Sequence, residues 1–224
     1  MQILYIVGIT ILLFFSLKAN KVEKCQNNCY TPFGSMIGVN EKVEAYSNCN
    51  DDCISYELNF IDLPNMQKVF TGLKWQCVEY ARRYLILTMN VTFGDVESAY
   101  QIYNLFYATS IFNKEQKYKF IGYPNGSAEL PKKNDLLIFK KTLMSPYGHV
   151  AVITSVNSIE GYVEICEENY NQKWDFPSYS RRIILEKKNG QYYIKEQSYF
   201  PYRLDSYLGE IFSSVIGWKR VIKE

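Results

Sequence analysis

Among the six cysteines of this 224-residue chain, Cys77 has surroundings that could activate it. It stands where Gly72-Leu73-Lys74-Trp75-Gln76 gives way to a helical pattern, with Val78, Ala81 and Leu85 predicting an apolar stripe. Glu79 and Arg83, in acid-before-base order at helical spacing, are expected on the opposite side. A thiol at a helix start lies among backbone N–H groups that have no acceptor within the helix. Those groups and the helix dipole favour a thiolate, the form that attacks a carbonyl carbon. The competing reading is a small buried hydrophobe, the ordinary place for an unpaired cysteine on an apolar helix. Against that stands a suitable base: His149, the sole histidine of the chain. It follows Gly148 and opens the apolar run Val150-Ala151-Val152-Ile153, so a strand could fix its ring at the edge of a cleft. Imidazole titrates near neutrality and is the usual partner for such a nucleophile. A solitary core or surface histidine is the alternative.

A third group is expected to orient the imidazole and set its tautomer. Glu167-Glu168-Asn169 closes the next extended run. If the two strands pair antiparallel, alternation of side chains puts Glu167 and Asn169 on one side and Glu168 on the other. Glu167 or Asn169 is therefore the candidate orienter, and Glu168 is expected to face solvent or substrate. A solvated acidic strand end would explain the same residues. Gln76, a polar amide just ahead of Cys77, is a candidate oxyanion donor together with the Cys77 backbone N–H.

The elements that must carry these groups follow in a simple order. The Cys77 helix is predicted to end near Asn90. Asp95 is the predicted N-cap of a second helix, with Val96, Ala99, Tyr103 and Phe106 on its inner face. Asn40–Asn59 reads as surface loop or a short hairpin, Lys114–Lys119 as exposed, and Tyr123-Pro124-Asn125-Gly126-Ser127 as a turn. After Pro131 the pattern becomes extended: strands are predicted at 136–139, 149–154, 161–167 and 215–221. Ile183–Leu185 and Tyr192–Ile194 flank Asn189-Gly190, a hairpin signal. Helices followed by strands predict an α+β fold, N-terminal helices packed on an antiparallel sheet.

Charge is nearly balanced, 25 basic against 23 acidic residues, and no Lys/Arg run or glycine-rich phosphate loop is present, which argues against a nucleic-acid partner. Ile3–Leu17 is almost wholly apolar and is followed by Lys18-Ala19-Asn20, as in a signal peptide cut after Ala19. The alternative is an uncleaved anchor, for which the run falls short of the roughly 20 residues a spanning helix needs. The expected organisation is therefore 1–19 signal peptide or anchor, 20–30 linker and 31–224 one domain, secreted or extracytoplasmic, with membrane contact only through an uncleaved N-terminus. Cys25, Cys29, Cys49 and Cys53 are expected to form two disulfides of open connectivity that pin down the N-terminal segment. A zinc site is the weaker reading of those four, and no metal is expected. Cys166, in the run Val163–Cys166, reads as an inert buried thiol.

Lys74-Trp75-Gln76-Cys77-Val78-Glu79-Tyr80-Ala81-Arg82-Arg83, Gly148-His149-Val150-Ala151-Val152, Glu167-Glu168-Asn169 and Ile216-Gly217-Trp218 together resemble the CHAP family of cysteine, histidine-dependent amidohydrolases/peptidases. Within it the chain is most similar to the amidase domain of glutathionylspermidine and trypanothione synthetases. The resemblance implies a papain-like fold, with Cys77 as nucleophile, His149 as base and then acid, Glu167 as orienting carboxylate and no cofactor. It implies substrate binding by Arg82, whose alternative is a solvated helix face; Asn169 is carried with Gln76 and Arg82 as a binding candidate. The expected substrate is a small peptide or a glutathione–polyamine-type amide, hydrolysed rather than conjugated by a monomer. An exported member would instead meet cell-wall peptides. A secreted module that binds such peptides without chemistry is the alternative from a different class.

Overall fold

The computed structural model describes residues 25–50, 53–64, 67–143, 145–196 and 214–223. The segment read as a signal peptide lies outside the described residues. Two hairpins come first: Met36–Asn40 (β1) with Val43–Tyr46 (β2), and Leu58–Asp62 (β3) with Lys68–Leu73 (β4). Helix α1, Cys77–Met89, follows, then Val91–Phe93 (β5), a 3-10 turn at Ala99–Asn104, Tyr107–Ser110 (β6) and Lys117–Pro124 (β7). The second half supplies Leu136–Phe139 (β8), His149–Asn157 (β9), Tyr162–Cys166 (β10), Arg181–Lys188 (β11), Gln191–Lys195 (β12) and Val215–Ile222 (β13). Among the described residues nine strands form one antiparallel sheet in the order β12-β11-β10-β9-β8-β13-β7-β6-β5.

The sheet is apolar on both faces because its central strands alternate two buried sets. Leu136, Ile138, Val150, Val152 and Cys166 meet Tyr80, Ala81, Tyr84 and Leu85 of α1. Leu137, Phe139, Ala151, Ile153, Ile165 and Ile183 form a second cluster with Trp218 on the opposite face. Strand periodicity of two makes this division unavoidable once β8–β11 are in register.

The expected pair of N-terminal helices is replaced by a single α-helix among the described residues, preceded by four strands. Asp95 caps nothing; its carboxylate accepts from Arg82 Nη2 at 3.0 Å. Ser98 starts the 3-10 turn in a capping box with Gln101, and the chain is extended again at Leu105. Phe106, placed on the inner face by helical counting, is 78% exposed. Val91 and Phe93 have already been taken by the sheet, so too little chain remains for a second α-helix. Lys117–Pro124 is a strand whose lysines face out while Phe120 is buried, so exposure alternates there. Within 40–59, β2 leads into the fully buried Ser47 and Asn48 rather than a surface loop. The described part of the segment read as linker is tied down at its ends, with Cys25 buried and Tyr30 N–H donating to the Cys49 carbonyl, while residues 26–28 and the Tyr30 side chain are exposed. Disulfides Cys25–Cys53 and Cys29–Cys49 hold it there, closing outer and inner loops in a nested pattern.

Candidate active site

Helix α1 begins at Cys77, with Gln76 as an extended N-cap that makes no side-chain capping bond. His149 and the backbone N–H groups of Val78, in the first turn, and of Val150, near the start of β9, act electrostatically on the Cys77 thiol. The helix start thus abuts the first residues of β9. Burial pushes the thiol up, but the His149 charge, its hydrogen bond and the two N–H groups outweigh this and bring it below the ordinary thiol value. Cys166, the other unpaired cysteine, shows the contrast: burial pushes it up to about 12.

His149, Glu167 and Arg181 belong to one face of the sheet. Each continues the odd-numbered row of its strand, in line with Ala151 and Ile153 on β9, Ile165 on β10 and Ile183 on β11. His149 Nε2 lies 2.8 Å from Glu167 Oε2. Burial alone would favour neutral imidazole; the Cys77 sulfur and Glu167 carboxylate reverse that and raise it. With Nε2 on Glu167, the other ring nitrogen is left for Cys77. Gly148 permits this placement: its φ is +65°, and a Cβ there would lie 2.6 Å from the Phe139 carbonyl oxygen.

Glu167 is buried and saturated with donors. Ser180 Oγ donates to Oε1 at 2.9 Å, Arg181 Nε to Oε1 at 2.8 Å and Arg181 Nη2 to Oε2 at 3.3 Å. Trp174 Nε1 holds its backbone carbonyl at 2.9 Å. Despite burial, Arg181 and His149 lower its carboxyl to about 2. Ser180 and Arg181 carried no motif in the sequence; only the pairing of Arg181 with Ile165 brings them here.

Asn169, the alternative orienter, makes its side-chain hydrogen bonds away from the imidazole. Its Nδ2 donates to Gln76 Oε1 at 2.9 Å, and its Oδ1 accepts from Asn48 and Gln172. Gln76 Nε2 in turn donates to Asn48 Oδ1 at 3.2 Å and to the Cys53 carbonyl at 3.1 Å. Both hydrogens of the Gln76 amide are engaged in this chain of amides, so it is not a ready oxyanion donor.

Glu168 faces neither solvent nor substrate. It is fully buried and accepts from Arg83 Nη2 and the Tyr46 N–H, both at 2.8 Å. Arg83 also grips Glu79, at 2.8 and 3.1 Å, so this pair lies inside the protein rather than on an outer helix face. Arg82, expected at substrate or in solvent, is 3% exposed, and donates to the carbonyls of Thr71 and Gly94 and to Asp95. Three acceptors and the Phe70 and Phe93 rings occupy it as a structural tie. Among the described residues, no group of three His, Cys, Asp or Glu side chains could hold a metal ion.

A Cys–His–carboxylate row joining helix start to sheet now meets an independent likeness. Residues 68–169 match the CHAP domain. The chain carries a CHAP domain. The match takes in Cys77, His149, Glu167 and Asn169, and ends before Ser180 and Arg181. The chain is 34% identical over 161 residues to trypanothione synthetase of Crithidia fasciculata, covering 71% of this chain and 23% of that protein. It is 32% identical over 176 residues to the bifunctional glutathionylspermidine synthetase/amidase of Escherichia coli K12, covering 74% of this chain and 27% of that protein. The CHAP-bearing chain therefore spans about a quarter of the length of these relatives.

Proposed function

We propose that this protein is a cysteine-dependent hydrolase of amide bonds. The CHAP domain and the amidase named among the relatives support amide hydrolysis in general. The observation that carries the cysteine mechanism is His149 set between Cys77, whose thiol its charge lowers, and Glu167, whose Oε2 lies 2.8 Å from its Nε2. The Cys77 thiolate adds to the substrate carbonyl, and the Cys77 backbone N–H, at the helix start, supports the oxyanion. The C–N bond breaks as His149 gives its proton to the departing amine, leaving a thioester on Cys77. His149 then takes a proton from water, whose oxygen attacks the thioester; the acid leaves and the thiolate–imidazolium pair is restored. Glu167 holds the imidazole through Nε2 and stabilises its charged form without taking its proton.

The relatives' names make the amide of glutathionylspermidine the first substrate to test. The two disulfides are compatible with an extracytoplasmic protein and favour cell-wall peptides as the second. Among the described residues no helix is long and apolar enough to cross a membrane. Purified protein should release one amine and one acid from one of these substrates, read by mass spectrometry. Iodoacetamide should alkylate Cys77 at pH 7 at least tenfold faster than Cys77 in His149→Ala. Labelling no faster than an ordinary buried thiol, with no turnover, would overturn the proposal.

A further inference from the structure

The orienting carboxylate is itself oriented. Glu167 ends a strand, is buried, and would be costly to ionise there without a counter-charge. Arg181 supplies one from β11, beyond the end of the CHAP match. Its Nε and Nη2 span both carboxylate oxygens, an arrangement a planar guanidinium makes and an ammonium cannot. The opposite edge of the guanidinium is fixed as well: Nη1 donates to Glu196 Oε1 at 2.6 Å and to the Tyr170 hydroxyl at 3.2 Å. The Tyr170 ring lies 3.8 Å from the guanidinium carbon and also 5.9 Å from the His149 ring. Phe139 likewise flanks both groups.

We propose that Arg181 is a positioning residue for the Cys77–His149 couple: it keeps Glu167 ionised and turned toward Nε2, and so preserves the thiolate–imidazolium pair at mildly acidic pH. This rests on the amide-hydrolase reading of the same site. The titratable groups around the clamp are Cys77 from α1, His149 from β9, Glu167 itself and Cys166 behind it, Tyr170 from the following loop, and Glu196 beyond β12. Glu196 already shares Arg181, so the guanidinium serves two carboxylates. The sign of its loss follows. Without Arg181, burial raises the Glu167 carboxyl into the range of the assay. Protonated Glu167 no longer supports imidazolium, and Cys77 loses the imidazolium charge that lowers it. Each effect raises the pH at which the thiolate is lost.

The test is the pH dependence of Cys77 alkylation by iodoacetamide in wild type, Arg181→Met, Arg181→Lys and the same pair of changes in a Glu167→Gln background. Folding is checked by near-ultraviolet circular dichroism. The acid limb should move up by at least one pH unit in Arg181→Met and by less than half of that in Arg181→Lys, and the Met change should add little once Glu167 is Gln. A folded Arg181→Met protein whose acid limb stays at the wild-type position would overturn the proposal, since a residue that merely packs the sheet would lower stability without moving the limb. Should Arg181→Met not fold, carbon-13 titration of the Glu167 carboxyl in the unaltered protein decides: ionisation down to pH 3 supports the clamp, and protonation above pH 4 removes it. A wild-type Cys77 that alkylates like an ordinary thiol would sink the hydrolase reading, while the Glu167 titration still judges Arg181 separately.

Discussion

Two thiols in one chain define what the site does at the scale of residues. Cys77 and Cys166 are both buried, and burial alone disfavours either thiolate. The imidazole of His149 and the neighbouring backbone N–H groups account for the difference in direction. Glu167 and Asn169 are separable in the same way. Glu167→Gln should lower kcat about 10²-fold or more with little change in KM, by analogy with losing the orienting carboxylate of a triad. Because Glu167 raises His149, the alkaline limb of kcat/KM should also move down in that variant. Asn169→Ala should leave that limb in place and instead lower stability by about 1–3 kcal/mol, because it removes the donor to Gln76 Oε1. A pH–rate profile and a denaturant melt on each variant check the split. An Asn169→Ala protein with a displaced alkaline limb would mean that the amide touches the imidazole after all.

At the scale of elements, a buried brace links the helix that carries Cys77 to the segment after β10 that carries Glu167. Arg83 of α1 stands between Glu79, on the same helix, and Glu168, next in the chain to Glu167. Burial raises the Glu168 carboxyl well above its usual range, and its Oε2 has no hydrogen-bond partner. Burial thus works toward a neutral carboxyl, against the pull of Arg83. Glu168→Gln should therefore keep the Arg83 and Tyr46 bonds and change stability by less than about 1 kcal/mol, whereas Arg83→Met strands a buried carboxylate and should cost about 3–5 kcal/mol. Chemical denaturation of the two variants distinguishes these outcomes; equal losses would place a full charge on Glu168. Elements differ in how well the sequence announces them. The β11–β12 hairpin was legible because Asn189 and Gly190 supply the positive φ its turn needs, and β8 and β9 because their apolar runs are unbroken. The β1–β2 turn uses Glu41 and Lys42 at positive φ, residues that give no turn signal, so a short hairpin and a surface loop stayed equally open there. The positions of Cys77 and His149 could be read from motif and pattern. Those of Arg181, Ser180 and the buried Arg82 could not, because strand register and backbone acceptors give them their partners.

At the scale of the molecule, the disulfide-held segment supports the rear of the site. The Cys53 carbonyl accepts both the Gln76 and Asn48 side-chain amides, so the cross-link at Cys53 bears on the residue immediately before Cys77. Between Cys25 and Cys53 the chain separation is 28 residues, for which loop-closure entropy corresponds to a stabilisation of about 3–4 kcal/mol. Replacing both cysteines with alanine should lower the midpoint of thermal unfolding and also slow Cys77 alkylation several-fold at temperatures where the protein is still folded. The second effect is the informative one. A staple that only restrains the unfolded chain would shift the melt and leave the folded site unchanged. A staple that fixes Cys53 against Gln76 would let the amide chain relax and the helix start drift from His149. Removing Cys29 and Cys49 instead provides the comparison, because the Gln76 amide donates to Asn48 and Cys53 and not to their carbonyls. Its melt should fall while alkylation of Cys77 holds near the wild-type rate. If both double variants slowed alkylation equally, the support would come from the segment as a whole rather than from the Cys53 carbonyl.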